Sequence, residues 1–510
     1  MKPACRIASS WLLFTSLLPA GVVTGTVLEH STGYPLARAR VRLERIDTTG
    51  RVESASVLAG RTGAFTFAGV AEGLYVLSAT RSGYASSFHG QRRPEGSAPP
   101  FAVNKDSNLF VELRLRKLAA ISGRVLDENR VGIAGVGVSA YPLGSPFRVA
   151  TSAVSDDGGV YRLHGLMPGR YRVRTAPYRH DDGLTLLPTF GPEALAAKDS
   201  AVAEARLDQE TLHVDVTPVP GSLISIGGPV TCAANVPAGP VTVTISHETI
   251  RRTIVTACQT AYRADNLQPG SYEIFAVDST GRLAAFIEQS IHQNTLNATV
   301  ELRELPGTRI RLLDADGRTP IAGSGKLTLS RVDLYGIAET REAEVTGSTR
   351  PEPLILPPGY WEVAGTLASP LYLSAVHPLF RISQPRPTAH PDRFEILHDS
   401  RWPDIVLRAR SGVSSLSGRV VDSGVPAAGI PVFLWPADAD TRRLARGTRT
   451  TTANSRGEFR WEGLPPGQYR LGASFDLASD QAESVDGSTL LTLRDGGGTS
   501  NHELAPIPVP

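Results

Sequence analysis

Few of the 510 residues form sets that could carry out a reaction. There is no Gly-x-Ser-x-Gly nucleophile elbow, no His-Glu-x-x-His zinc site and no phosphate loop ending in Gly-Lys-Ser/Thr. His247–Glu248 has no second histidine one turn later. Asp314–Ala315–Asp316–Gly317 starts as a calcium loop does, but the later Asp or Asn and the distal Glu are missing, which leaves an Asp-Gly turn. Asp156–Asp157–Gly158 and His180–Asp181–Asp182–Gly183 read the same way, as solvated turns. His377, His390 and His398 fall, with Trp402, in a proline-rich insertion from Ser369 to Pro403, either a metal cluster assembled by folding or a scatter of surface histidines. No cofactor and no metal are expected, and catalysis is the last of the readings.

Aromatic residues are the remaining candidates, because a sugar ring stacks its apolar C–H face on an exposed aromatic ring. Phe433 and Trp435 alternate with Val432 and Leu434, and the alternation turns them together toward the outer face of a strand. An exposed apolar pair is informative. The alternative is that a neighbouring domain or the Ala437–Arg446 loop covers it. A second set, Tyr84, Phe88 and His89, lies in an irregular loop between Gly83 and Ser107. These five residues are the candidate carbohydrate-binding positions.

The element that must position them is a repeated strand-turn-strand. Gly457 begins it; Phe459 and Trp461 alternate with charged residues, Gly463 and Pro465–Pro466–Gly467 make a turn, and Tyr469 and Leu471 resume the alternation. The same spacing gives Gly63, Phe65, Gly69, Gly73 and Tyr75, and again Gly159, Tyr161, Gly165, Gly169 and Tyr171. Thr260, Tyr262, Asn266, Gly270 and Tyr272 form a near copy, with Asn in a glycine place because Asn tolerates left-handed backbone best after glycine. An eroded copy keeps Pro358–Gly359–Tyr360–Trp361, with Trp361 in the tyrosine place. Several separated copies indicate an internal repeat. Trp461 matches Phe67 and Leu163 and is expected in the core; the four tyrosines are expected to tie the turn to the sheet.

Composition agrees. Hydrophobic residues make up 41%, enough for packed cores, and 49 glycines with 38 prolines suit a turn-rich all-β chain. A net charge of +2 implies neither nucleic acid nor an acidic membrane surface as partner. Lys2 and Arg6, the apolar run Trp11 to Leu18 and Pro19–Ala20 read as a secretory signal peptide over 1–20. A short membrane anchor is the alternative, although the run is well below the roughly 20 residues a span needs. No later segment is apolar for long enough to span. Removal of the signal leaves Cys232 and Cys258, which in an oxidising compartment would pair; two buried free thiols are the alternative.

Divided among five repeats, the rest is roughly 98 residues each, the size of an immunoglobulin-like sandwich. The expected units are 21–116, 117–217, 218–304, 305–411 (with the long insertion) and 412–510. Whole-domain matching rests on opening strands such as Ile121–Ser122–Gly123–Arg124–Val125 and Leu416–Ser417–Gly418–Arg419–Val420, each followed by a small-residue strand, Gly135–Val138 or Gly429–Val432.

The Gly-x-Val opening, the small-Val-x-Val strand, the Gly-x-Phe/Tyr strand and the Pro-Gly-x-Tyr turn resemble the carboxypeptidase regulatory-like domain. The resemblance covers roughly 21–116, 117–217 and 412–510 and is weak over 218–304 and 305–411. It implies a transthyretin-like β-sandwich, grouped with carbohydrate-binding-like folds, that acts as an accessory module and has no catalytic residues of its own. The expectation is an all-β tandem array of about five immunoglobulin/transthyretin-like β-sandwich domains, secreted, periplasmic or at the cell surface. Its expected role is non-catalytic binding or spacing, with a polysaccharide or an envelope protein as partner. The other readings are an adhesin-like stalk and an accessory subunit of a separately encoded hydrolase or transporter.

Overall fold

The computed structural model describes residues 21–507 except 95, 144–146, 181–182, 233–238, 282, 305–306, 334–335, 349, 358, 380–392, 397–403, 445–446, 478–481, 485 and 497. The expected signal peptide, Asp181, Asp182, Pro358, His390, His398 and Trp402 lie outside the described residues. Strands dominate, and the described helices are short, the α-helix at Ala439–Leu444 being the longest. No described helix is long and apolar enough to cross a membrane.

Five large apolar clusters follow one another along the chain, spanning Val23–Leu115, Ala119–Val216, Ile224–Leu302, Ile310–Ala409 and Leu416–Leu504. Four of them are closed between two sheets. In the first, Gly21–Glu29 pairs with Ala64–Val70 and Asn108–Leu115, and the facing sheet carries Arg40–Asp47, Gly50–Leu58 and Gly73–Thr80. The third cluster differs, because its strands join into one continuous sheet of seven.

The repeat has a structural reason. Each unit's opening strand is flanked by its own last strand running parallel: Val23 beside Leu109, Ile121 beside Thr211, Val230 beside Val300, Ile310 beside Ile405, and Val420 beside Leu504. In four units the other flank is the Gly-x-aromatic strand, and there the opening glycine sits opposite the aromatic: Gly25 and Phe65, Gly123 and Tyr161, Gly228 and Tyr262, Gly418 and Phe459. An added Cβ would stand nearest a backbone carbonyl in all four, Val111 O at 1.9 Å from Gly25, Val214 O at 2.1 Å from Gly123, Ala298 O at 2.3 Å from Gly228 and His502 O at 2.4 Å from Gly418. The glycine is therefore required by the close approach of that backbone, with the Phe65 and Phe459 rings next at 2.6 and 2.5 Å. Among the described residues the fourth unit has no such strand beside Ile310–Leu313, which pairs with Asp404–Ser411, in keeping with the eroded motif there.

The turn is fixed the same way in all five. The hydroxyls of Tyr75, Tyr171, Tyr272 and Tyr469 donate to the carbonyls of Ala71, Met167, Gln268 and Pro465, each four residues back, at 2.6–2.9 Å. Trp361 uses its indole N–H for the same bond, to Pro357 O at 2.9 Å. The turn's left-handed residue is Gly69, Gly165 and Gly463 at φ near 70°, and in the third unit Asn266 at φ 59°.

One strand of the last unit leaves little signal in the sequence, and one core residue differs from expectation. Thr489–Leu493 pairs with Gly467–Ala473. Gly498–Leu504 follows and pairs with Ser414–Asp422 through backbone, with little apolar alternation to mark it. Trp461 is only partly buried, packed edge-on to Phe459 at 5.5 Å.

Candidate functional site

Phe433 and Trp435 do point away from the main core of their unit, but they are not open. Each is 2% exposed, so the covered alternative holds, and the assignment of the pair as a carbohydrate-binding surface is corrected. Leu477 and Ala482, from the segment after the repeat, pack on them as a separate apolar cluster. Arg442, on the short helix, holds this cover in place: its guanidinium donates to the carbonyls of Pro436 and Ala437 and at 2.6 Å to the Glu483 carboxylate. Neither ring face can receive a sugar in this arrangement.

The loop set divides. Tyr84 donates at 2.9 Å to the Glu29 carboxylate, which also holds the Lys117 ammonium at 2.7 Å. Burial and the Glu29 bond push the Tyr84 phenol up, and the Lys117 bond holds the Glu29 carboxyl below its ordinary range. His89 packs edge-on against Phe101 at 5.4 Å, and burial holds its imidazole below the ordinary value. Both rings are therefore committed to holding the loop. Phe88 is not: it is half-buried and lines a groove of about 330 Å³ with Gln91, Arg92, Arg93, Arg114 and Arg116. Gln91 braces the loop, accepting from the Phe88 N–H at 3.1 Å and donating to Pro94 O and Gly96 O. The groove also contains His30 and one carboxylate, Glu112, which pairs with Arg114 at 2.7 Å. Four guanidiniums and one carboxylate line it, and from outside the groove Asp476 stands 3.7 Å from Arg92 and Asp208 3.9 Å from Arg116, so the surface is basic but partly paired, with one aromatic face.

A larger groove, about 790 Å³, lies where Thr48 and Thr49 of the first unit face the last unit. Sequence reading missed it, because its walls come from opposite ends of the chain and no periodicity links them.

The acidic turn candidates take their bland readings, while His390 and His398 of the histidine set lie outside the described residues. Among the described residues no group of three or more His, Cys, Asp or Glu could hold a metal ion. Asp316 accepts from the Arg318 and Thr319 amides, and Asp156 from those of Gly158 and Val160, as turn carboxylates do. His377 lies on the strand Leu371–Leu379. Cys232 and Cys258 stand in disulfide geometry with Cα atoms 5.7 Å apart.

No curated protein sequence matches the chain. Solved structures with some likeness include a minor pilin of Streptococcus agalactiae, at 12% identity over 40% of this chain and 98% of that one, with a TM-score of 0.24. A shaft pilin of Lactobacillus rhamnosus GG is 12% identical over 40% of this chain and 97% of that one, with a TM-score of 0.25. The major pilin of Bacillus cereus is 10% identical over 76% of this chain and 98% of that one, with a TM-score of 0.15. Residues 22–100, the first sandwich from its opening strand through the Phe88 loop, match the family model of the carboxypeptidase regulatory-like domain.

Proposed function

We propose that the chain is a non-catalytic, extracytoplasmic binding protein made of five sandwich units at 21–116, 117–217, 218–304, 305–411 and 412–510, exported by the segment 1–20. Its ligand class is polysaccharide, and its contact surface is the loop groove at Phe88. The observation that carries this reading is the division of labour among aromatics. Among the aromatics of the repeat and the candidate sets, the tyrosines spend their hydroxyls on turn carbonyls, Phe433 and Trp435 are covered, and Phe88 is half-open among arginines; the exposed Tyr34, Phe110 and Tyr360 do not line that groove. A ring with guanidiniums around it suits a sugar bearing carboxylates, stacked on one side and paired bidentately on the other.

The test is binding of the chain from residue 21 onward to polygalacturonate, with uncharged dextran as control, in low and moderate salt. The expected result is binding of the acidic polymer that weakens as salt rises and falls at least about tenfold in Phe88→Ala, equivalent to about 1.4 kcal/mol. Binding that Phe88→Ala leaves unchanged, or no binding at all, would overturn the assignment.

A further inference from the structure

Ile46 and Ala98 are 3% and 0% exposed, yet they belong to none of the sandwich cores. They are covered where the first unit meets the last. A Cβ on Gly429 would stand 2.4 Å from Ile46 Cδ1 and 3.8 Å from Pro100 Cδ, so this surface closes on a glycine with no room to spare. The hairpin tip of the first unit reaches the turn that precedes the last unit's Gly-x-Phe strand. There the Ser455 N–H donates to Asp47 O at 3.0 Å and Asn454 Nδ2 to Thr48 O at 3.4 Å. On the other side of the contact, the Ser97 N–H donates to Phe475 O at 2.7 Å and Arg92 faces Asp476 at 3.7 Å. Apolar contact, backbone bonds and a charge pair converge on one seam, which clasps the first and last units together.

The clasp encloses the groove of about 790 Å³, within the roughly 300–1,000 Å³ of small-ligand sites. Its lining is polar and electrically balanced. Thr48 and Thr49 face Ser417, Thr451 and Thr452 with hydroxyls that both donate and accept. Behind them Arg419 lies in register between Glu458 and Glu503, and Arg460 is beside Ser417. Two guanidiniums against two carboxylates leave no net attraction for an anion, in contrast to the Phe88 groove, while supplying donors and acceptors in equal measure. A sugar hydroxyl needs both at once.

We propose that this seam is a binding site for an uncharged, hydroxyl-rich ligand, a segment of neutral oligosaccharide, and that the site exists only while the two ends of the chain are clasped. A ligand bound by both walls stabilises the closed state by mass action. This goes beyond the Phe88 reading and shares with it only the class of ligand.

The experiment is calorimetric titration of the full chain with neutral hexasaccharides of glucose, mannose and xylose, with small-angle scattering on the same samples. Ile46→Arg should open the clasp without touching the groove lining or a sandwich core. Thr452→Arg should fill the groove and leave the clasp shut. The expected result is hexasaccharide binding that drops at least tenfold in both variants, with the radius of gyration rising only in Ile46→Arg. Absence of hexasaccharide binding, binding unaffected by Ile46→Arg, or an unchanged radius in that variant would each overturn the proposal. Polygalacturonate binding measured on the same samples reports the Phe88 groove, which shares Arg92 with the clasp but none of the Thr452 lining, so in Thr452→Arg failure of one site is distinguishable from failure of the other.

Discussion

The two aromatic sets invert what their surroundings in the sequence suggest. Phe433 and Trp435 sit on a long strand with the alternation of an outward-facing pair, and they are buried; Phe88, expected in an irregular loop, lies on the two-residue strand Ser87–Phe88 paired with Gly73–Thr80, and it is half-open. Alternation states which side of a sheet a residue takes, and on that point the sequence reading of Phe433 holds. It does not state what lies on that side. In the last unit the answer is a second small core, closed by Leu477 and Ala482 and held by Arg442 and Glu483. In the first unit, Tyr84 and His89 spend their polar and aromatic surfaces fixing the loop, and Phe88 is what they present. The long strand carries scaffold; ligand contact is assigned to the two-residue strand at the end of the other sheet.

The largest expected effect that would break this comparison is Trp435→Ala. Emptying a buried tryptophan site costs about 3–5 kcal/mol, so the last unit's thermal transition should fall steeply while polygalacturonate binding per folded molecule stays unchanged. A variant that melts normally would mean that the ring is a surface group after all. Next is reduction of Cys232–Cys258. Closing a loop of 26 residues is worth about 3 kcal/mol in the chain-entropy account, and the loss should appear in the third unit alone. Two free thiols found by mass spectrometry in exported protein would remove the bridge.

Gly463→Val tests the turn. The residue has φ 67° with nothing within 4 Å of an added Cβ, so the cost is backbone strain alone, about 1–2 kcal/mol. An unchanged melting temperature would remove the left-handed assignment. The smallest effect concerns pH at the contact between the second and third units. His247 Nδ1 donates to Ser271 O at 2.7 Å while Nε2 accepts from Gln268, whose amide oxygen takes a bond from the buried Arg174 guanidinium. Burial first, and then Arg174, hold the imidazole below its ordinary value, against the Ser271 bond and the Glu248 carboxylate. The unfolded chain therefore takes up this proton first, and stability should fall as pH drops through about 6.5 toward the lower folded value. The loss should be absent in His247→Gln; persistence there would place the titration elsewhere.

Much of the scaffold was legible because its causes are local. Gly69 turns the chain and Tyr75 bonds four residues back, and each leaves a fixed spacing in the sequence. Asn266 standing for glycine and Trp361 standing for tyrosine were readable for the same reason, since each keeps the one property its place requires. What could not be read depends on residues far apart. Leu477 covers Trp435 from beyond the repeat, and Ile46 meets Gly429 across almost the whole chain. The strand Gly498–Leu504 joins its sheet by backbone bonds, which carry no side-chain signature.

The most direct test is a paired measurement on Phe88→Ala and Trp435→Ala, thermal melting together with polygalacturonate binding. The account predicts a crossed result. Phe88→Ala melts within about 1 kcal/mol of the parent, as a partly exposed residue should, and loses the polymer; Trp435→Ala loses stability and keeps the polymer in its folded fraction. If Trp435→Ala melts normally and loses binding while Phe88→Ala binds as before, the roles of the two regions are reversed and the account is wrong.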